Sequence, residues 1–354
     1  MQPTPRQKNI SWRLIVVIAV ALLGVVAVVI LLRERGPSRN SKTLTFAQIP
    51  ITYSAVTFVA ETNGYIKEEG LDYSSVSVPA GPDVVTALKG SGQNAADAGA
   101  IAITPVITMI SAGDRPVVLA TTLVSNRQAK LVTFSQVGIT ENPATLKGKR
   151  IGVTRNTNGD IYLSRLLRKG NLTSQDATLV NGRPADLRNL LVRGEIDAAI
   201  MWDPFVVQSV REYRSQVEGK KINSRGEPQV FVDPTLHTLS FNIVTTREKL
   251  DSHREQLLDV LRATIKAEQF IHERPKEAQA LLEKWLGLEA GDLNDFFSTT
   301  EFHVYLDSGQ TRQWMKEELL WLRENRPDAR TPDDLSPFVD TSLLKSIDAS
   351  RVKE

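Results

Sequence analysis

Bond-making chemistry needs nucleophiles, acid–base pairs or metal ligands at workable spacing, and this 354-residue chain offers few of them. It has no cysteine, which excludes thiol nucleophiles, thiolate metal sites, disulfides and lipidation of an N-terminal Cys. Its histidines stand at His237, His253, His272 and His303. None has H-E-x-x-H spacing and none lies near a G-x-S-x-G turn. No Walker A loop occurs, so energy coupling through a P-loop must belong to another protein. Gly90, Gly92 and Ala95 imitate a dinucleotide fingerprint, yet they follow an expected helix over 83–89, where the fingerprint must follow a strand and open a helix. They read as a helix stop. No catalytic residue, metal site or cofactor is expected.

The positive signal is a row of helix starts. A helix beginning at the carboxyl end of a sheet strand presents unpaired N–H groups and a positive dipole end, which favour small anions or carbonyls. Five starts qualify: Tyr53 and Ser54, Gly81 with Pro82, Thr104 with Pro105, Thr157 with Asn158, and Asp203 with Pro204. Ordinary capping explains any one of them alone; their joint placement suggests a shared crevice. Trp202, at a strand end, could stack on a ligand or pack in the core.

The elements that would position these residues alternate. Residues 43–49 read as a strand, with Ser54 capping a helix that Gly64 stops. Residues 75–78 form the next strand, then Gly81 and Pro82 open a helix. Residues 97–103 are small and apolar, with Thr104 as cap and Pro105 in the first turn of a helix ended by Gly113. Three such steps argue for a parallel sheet. A second set follows: strands over 131–134 and 150–154, a helix capped by Asn158, a strand over 178–180, a helix from Pro184 to a stop at Gly194, and a buried strand over 198–201 ending at Trp202. Asp203 and Pro204 would cap the next helix. A returning strand over 238–245 follows a loop-rich stretch, and the remainder reads as helical. The two sets look like two lobes, and no internal repeat of fixed period is present.

Composition places the chain among globular proteins: 41% of its residues are apolar and 24% charged. Arg6, Lys8 and Arg13 account for more than the whole net charge of +2, so the body lacks the footprint of a nucleic-acid binder. Residues 14–32 are an unbroken apolar run, about 28 Å as a helix at roughly 1.5 Å per residue. Arg33, Glu34 and Arg35 follow directly, with no small-residue cleavage site, which favours an uncleaved anchor over a cleaved signal peptide. Residues 1–13 are then a short tail and 33–42 a flexible linker.

The stretches LKGKRIGVTRNTNGD (146–160) and RPADLRNLLVRGEIDAAIMWDPF (183–205) resemble the second lobe of ABC-importer solute-binding proteins for nitrate, taurine and aliphatic sulfonates, and of the related thiamine-pyrimidine-precursor binders, the NMT1/THI5-like family. NGYIKEEGLD (63–72) and AGPDVVTALKGSGQNAADAGAIAITP (80–105) match the first lobe in the same order, and TSLLKSIDASRV is similar to the usual final helix. The resemblance implies an α/β, two-lobed periplasmic-binding-protein fold of type II. Lobe I would be 43–126 plus 239–354, and lobe II 127–238. It also implies a small polar or anionic solute held between the lobes and handed to ABC permease and ATPase subunits, with the span 14–32 tethering the binding domain to the membrane on its extracytoplasmic side.

Ligand positions carried over from the family are Ile51, Thr52 and Tyr53; Gly81 and Pro82; Ile103 and Thr104; Arg155, Asn156, Thr157 and Asn158; Trp202 and Asp203; and His237 and Thr238 near the return crossover. Bulky Asn156 and apolar Ile103 depart from the common pattern and weaken the case for simple sulfonate or nitrate specificity. Arg155 or Arg127 could pair with an oxyanion. Two other functions stay open: an enzyme on the same fold, like those of the menaquinone pathway, and a ligand-sensing ectodomain serving a partner membrane protein.

Overall fold

Leu44–Gln48, LTFAQ, is apolar enough to be buried almost throughout, and as β1 it sits inside a sheet with β2 (Tyr73–Ser77) and β3 (Ala98–Ala102) parallel on either side. The computed structural model describes residues 43–90 and 94–354. The expected tail, anchor and linker over 1–42 lie outside the described residues, as does Gly92. Among the described residues no helix is long and apolar enough to cross a membrane.

The first sheet has seven strands in the order β12-β11-β4-β10-β3-β1-β2. Its remaining strands are β4 (Pro116–Ser125), β10 (Leu239–Thr246), β11 (Glu301–Asp307) and β12 (Val352–Lys353). The expected parallel pairing holds for β1, β2 and β3, but β10 runs antiparallel to both β3 and β4, so the sheet is mixed. The ten-residue β4 is a central strand that the helix-and-turn punctuation does not signal, because the chain leaves it for the second sheet instead of turning into a helix. β11 overturns the all-helical reading of the C-terminal part: its burial alternates along EFHVYLD, which is the period-2 pattern of a strand half covered by the core.

The second sheet has five strands in the order β7-β6-β8-β5-β9, comprising β5 (Lys130–Phe134), β6 (Arg150–Val153), β7 (Thr178–Asn181), β8 (Ala198–Met201) and β9 (Pro228–Phe231). Because successive side chains of a strand point to opposite faces, Ala198 and Ile200 of β8 join one apolar cluster while Ala199 and Met201 join another. Each face is covered by a helix from a βα step: Asn158–Lys169 on one and Pro184–Arg193 on the other. Gly194 ends the latter in the left-handed conformation at φ 77°, as its position in the sequence suggests. The chain passes between the sheets twice, after β4 and before β10, and Thr43–Glu354 forms one compact unit.

Gly99 shows how tightly the first sheet is packed. A Cβ there would lie 2.9 Å from Val84 Cγ1 and 3.0 Å from the Ala47 carbonyl oxygen. Gly99→Ala is therefore expected to destabilise the fold by about 1–3 kcal/mol. Urea denaturation followed by circular dichroism reads this directly, and an unchanged midpoint would mean that the β1–β3 seam has slack.

Candidate ligand-binding site between the lobes

All five expected helix starts exist, and none has a side-chain cap. Helices or 3-10 turns begin at Thr52, Gly81, Ile103, Asn158 and Phe205, preceded by Ile51, Ala80, Ala102, Thr157 and Pro204, and in each case no side chain bonds the first-turn N–H groups. This corrects the expected capping roles. The Ser54 hydroxyl donates backwards to the Ile49 carbonyl at 2.7 Å. Thr104 lies inside the first turn of its helix rather than before it. Asn158 is the first helical residue, and the Thr157 hydroxyl donates back to Thr154 at 2.7 Å. The Asp203 carboxylate accepts from Lys130 Nζ at 2.6 Å instead of capping.

The structure joins several of these starts across the lobes. The Thr52 N–H and hydroxyl both reach the Asp203 carbonyl, at 3.5 and 3.4 Å. Ile161 and Trp202, which follow from the second sheet, pack into the apolar cluster of the first lobe. Within the first lobe Gly81 abuts Pro105, so close that a Cβ would sit 2.6 Å from the proline ring. Within the second, a Cβ on Gly159 would meet the Trp202 ring and the Thr157 hydroxyl at 3.4 Å. Ile51, Thr52, Tyr53, Gly81, Ile103, Thr104, Thr157, Asn158, Trp202 and Asp203 are all buried.

Other predicted positions lie apart. Arg155 is turned outward and pairs with Asp160 at 2.8 Å, and Asn156, at a left-handed φ of 61°, accepts from Arg326 of the first lobe. Pro82 is half-buried and Thr238 exposed. His237 is buried, but in a different corner: with Thr238 it lines a cavity of about 240 Å³ together with Arg165, Trp314 and Glu318. A cavity of about 500 Å³ lined by Arg127, Tyr162 and Asp233 lies within the second lobe; of the residues singled out from the sequence as ligand contacts, Arg127 alone lines it.

Trp202 Nε1, Asp203 Oδ1, Thr104 Oγ1 and Gln48 Oε1 are buried without a partner. A buried polar group left unbonded costs roughly 1–3 kcal/mol, which a ligand reaching it can recover. Tyr53 stacks edge-on against Phe296 at 5.4 Å, and burial first, then the nearby Asp203 carboxylate, push its hydroxyl well above the ordinary tyrosine value. Its phenol stays protonated.

Sequence reasoning missed the polar residues that face these loops. Gln128 accepts from the Asn158 amide and Lys130 neutralises Asp203. Both lie just after β4, where the only signal is a lysine opening an otherwise apolar strand. Arg165 and Glu318 sit on helices whose pattern reads as ordinary amphipathic packing.

The chain matches the NMT1/THI5 like family over residues 51–278 and belongs to it. It is similar to the 4-amino-5-hydroxymethyl-2-methylpyrimidine phosphate synthase THI5 of Saccharomyces cerevisiae, 32% identical over 151 residues that make up 43% of each protein. The matches thus span less than half the length of these curated relatives. Its fold is that of the periplasmic aliphatic sulphonate binding protein SsuA from Escherichia coli, at a TM-score of 0.63 and 21% identity over 83% of this chain and 96% of that one. It is also that of the periplasmic nitrate-binding protein NrtA from Synechocystis PCC 6803, at 0.68 and 13% over 88% and 89%. The protein is a two-lobed α/β chain of the periplasmic-binding fold.

The charge pair at the seam gives a test. Lys130→Met leaves the Asp203 carboxylate buried without its cation and is expected to cost about 3 kcal/mol of folding stability. Adding Asp203→Asn should restore at least half of that. Equal denaturation midpoints for wild type and Lys130→Met would show that the pair is not buried in solution.

Proposed function

We propose that this protein captures a small polar or anionic solute between its lobes and passes it on unaltered to ABC permease and ATPase subunits. Residues 14–32 would tether the binding domain to the membrane on its extracytoplasmic side. The capture reading is supported by the contact of two uncapped helix starts across the lobes, Thr52 on Asp203, and by Trp202 Nε1, Thr104 Oγ1 and Asp203 Oδ1, which are buried and unpartnered. Main-chain N–H groups and the indole supply donors, which suit a sulfonate, nitrate or carboxylate head; Asp203 Oδ1 and Gln48 Oε1 supply acceptors, which suit an amide or an aminopyrimidine edge. Ile51, Thr52, Tyr53, Gly81, Ile103, Thr104, Thr157, Asn158, Trp202 and Asp203 are the residues assigned to that seam. Arg155, Asn156 and Pro82 would form its rim, and His237 and Thr238 its hinge side. The sulphonate- and nitrate-binding neighbours support this reading through shared architecture.

The yeast relatives are named as synthases, which favours a second reading, chemistry on the same scaffold. The two separate cleanly: a bound solute released by denaturation and identified by mass spectrometry has the same mass as the solute supplied if the protein only carries it.

Thermal-shift screening against sulfonates, nitrate, pyrimidines and carboxylates should find a solute that raises the melting temperature, because binding to the folded state stabilises it by mass action. With that solute, Trp202→Ala or the pair Thr157→Ala and Asn158→Ala should weaken calorimetric affinity tenfold or more, about 1.4 kcal/mol, without unfolding the chain. Unchanged affinity would remove those residues from the site.

A further inference from the structure

We propose that the second lobe carries a binding site of its own, away from the seam, for a small apolar zwitterion of the amino-acid type. The site is the cavity of about 500 Å³ beside β5 and β9, a size that small-molecule pockets commonly have. It does not depend on capture between the lobes. All its walls belong to the second lobe, and none of the residues assigned to the seam lines it.

The floor is apolar and already packed. Leu131 of β5, Leu146, Tyr162 and Leu166 belong to one buried cluster, with Phe231 of β9 packed against them, and all five line the cavity. Tyr162, Leu166 and Lys169 are spaced i, i+4 and i+7 on the helix Asn158–Lys169, so one helix face brings a phenol, an aliphatic side chain and an ammonium to the same wall. The rim is held by its own hydrogen bonds. Beside Glu141, the Asn142 side chain accepts from the Ala144 N–H at 3.1 Å, the Thr145 hydroxyl donates to the Asn142 carbonyl at 2.7 Å, and the Thr140 N–H donates to the Thr145 hydroxyl at 3.1 Å. On the other side the Asp233 N–H donates to the Tyr162 hydroxyl at 2.9 Å. A rim fixed in advance loses little freedom when a ligand arrives.

The polar groups around this floor divide into spent and unspent. Lys169 and Asp233 neutralise each other at 2.5 Å, and Asp233 also accepts from the Thr235 N–H and hydroxyl. Arg127 and Glu141 line the cavity as well, and among the described residues neither has an ion-pair partner. The Tyr162 hydroxyl accepts from Asp233, while among the described residues nothing accepts its hydrogen. One cation, one carboxylate and one hydroxyl donor are thus left over an aliphatic floor.

That remainder selects the ligand. A simple anion would suit Arg127 but meet Glu141 as a like charge, and a simple cation would do the reverse. A molecule with a carboxylate, an ammonium and an apolar side chain uses every group. Its carboxylate takes the paired N–H groups of the Arg127 guanidinium and the Tyr162 O–H, and its ammonium takes Glu141. Its side chain covers Leu131, Leu146 and Leu166.

The test uses the full-length chain and three matched probes: L-leucine, isocaproate, which is leucine without the ammonium, and isoamylamine, which is leucine without the carboxylate. Calorimetric titration should find L-leucine bound at least about tenfold more tightly than either analogue, the size of one charge-assisted contact. Arg127→Met should remove most of leucine's advantage over isoamylamine, and Glu141→Gln most of its advantage over isocaproate. Both side chains are exposed, so the circular dichroism of each variant should match wild type. Leucine that does not bind, or binds no more tightly than either analogue, overturns the proposal. So does leucine binding that either variant leaves intact or that Trp202→Ala abolishes, since the ligand would then sit elsewhere. Failure of the capture reading is separate: it shows as no solute whose affinity depends on Trp202.

Discussion

A carboxylate carried into the seam between two lobes must be compensated there, and the arrangement around Asp203 follows from that requirement. Its cation, Lys130, is the first residue of β5, so the charge and its neutraliser belong to the same lobe. What crosses the seam is weaker: a carbonyl at Asp203 approached by the Thr52 N–H and hydroxyl at 3.5 and 3.4 Å. At Asp203 the short bond lies within one lobe and the long ones cross to the other.

Both ion pairs and apolar packing join the lobes. Arg183 pairs with Asp83 and Arg168 with Glu324, each at 2.8 Å with the arginine more than half exposed, and Arg211 pairs with the less exposed Asp292 at 2.5 Å. Pairs as exposed as the first two contribute about 0–1 kcal/mol and fade with salt. Trp202 and Ile161 leave the second lobe to pack in the core of the first, and a tryptophan buried this way removes far more apolar surface from water than the rim pairs can match. Its indole N–H is buried without a partner.

Much of this was legible in the sequence because glycine and proline punctuate it. The start at Gly81 and Pro82, the stop at Gly194 and the strand Ala198–Met201 fall where local pattern places them. β4 and β11 escaped: one is a buried strand followed by a crossover rather than a helix, and the other is a single alternating segment among long helices. At the site, the loops were readable and their partners were not. Ser54 and Asp203 carry residue types that commonly cap helices, yet their side chains bond the Ile49 carbonyl and Lys130 instead, the second through a contact no local window contains. Glu318 looks like any polar position of an amphipathic helix until Arg165 and His237 arrive from elsewhere in the chain.

The protonation states around the seam bear on whether it holds a guest or transforms it. A general acid or base works best when its proton exchanges near the working pH. Tyr53 is driven the wrong way for that by burial and Asp203, and His237 is held down to about 3, so neither changes charge near neutrality. Glu318, whose carboxyl burial pushes up to about 8, lines the cavity of His237 and Arg165 at the return crossover. Groups fixed in their protonation state can still donate and accept hydrogen bonds, which is all that selective holding requires.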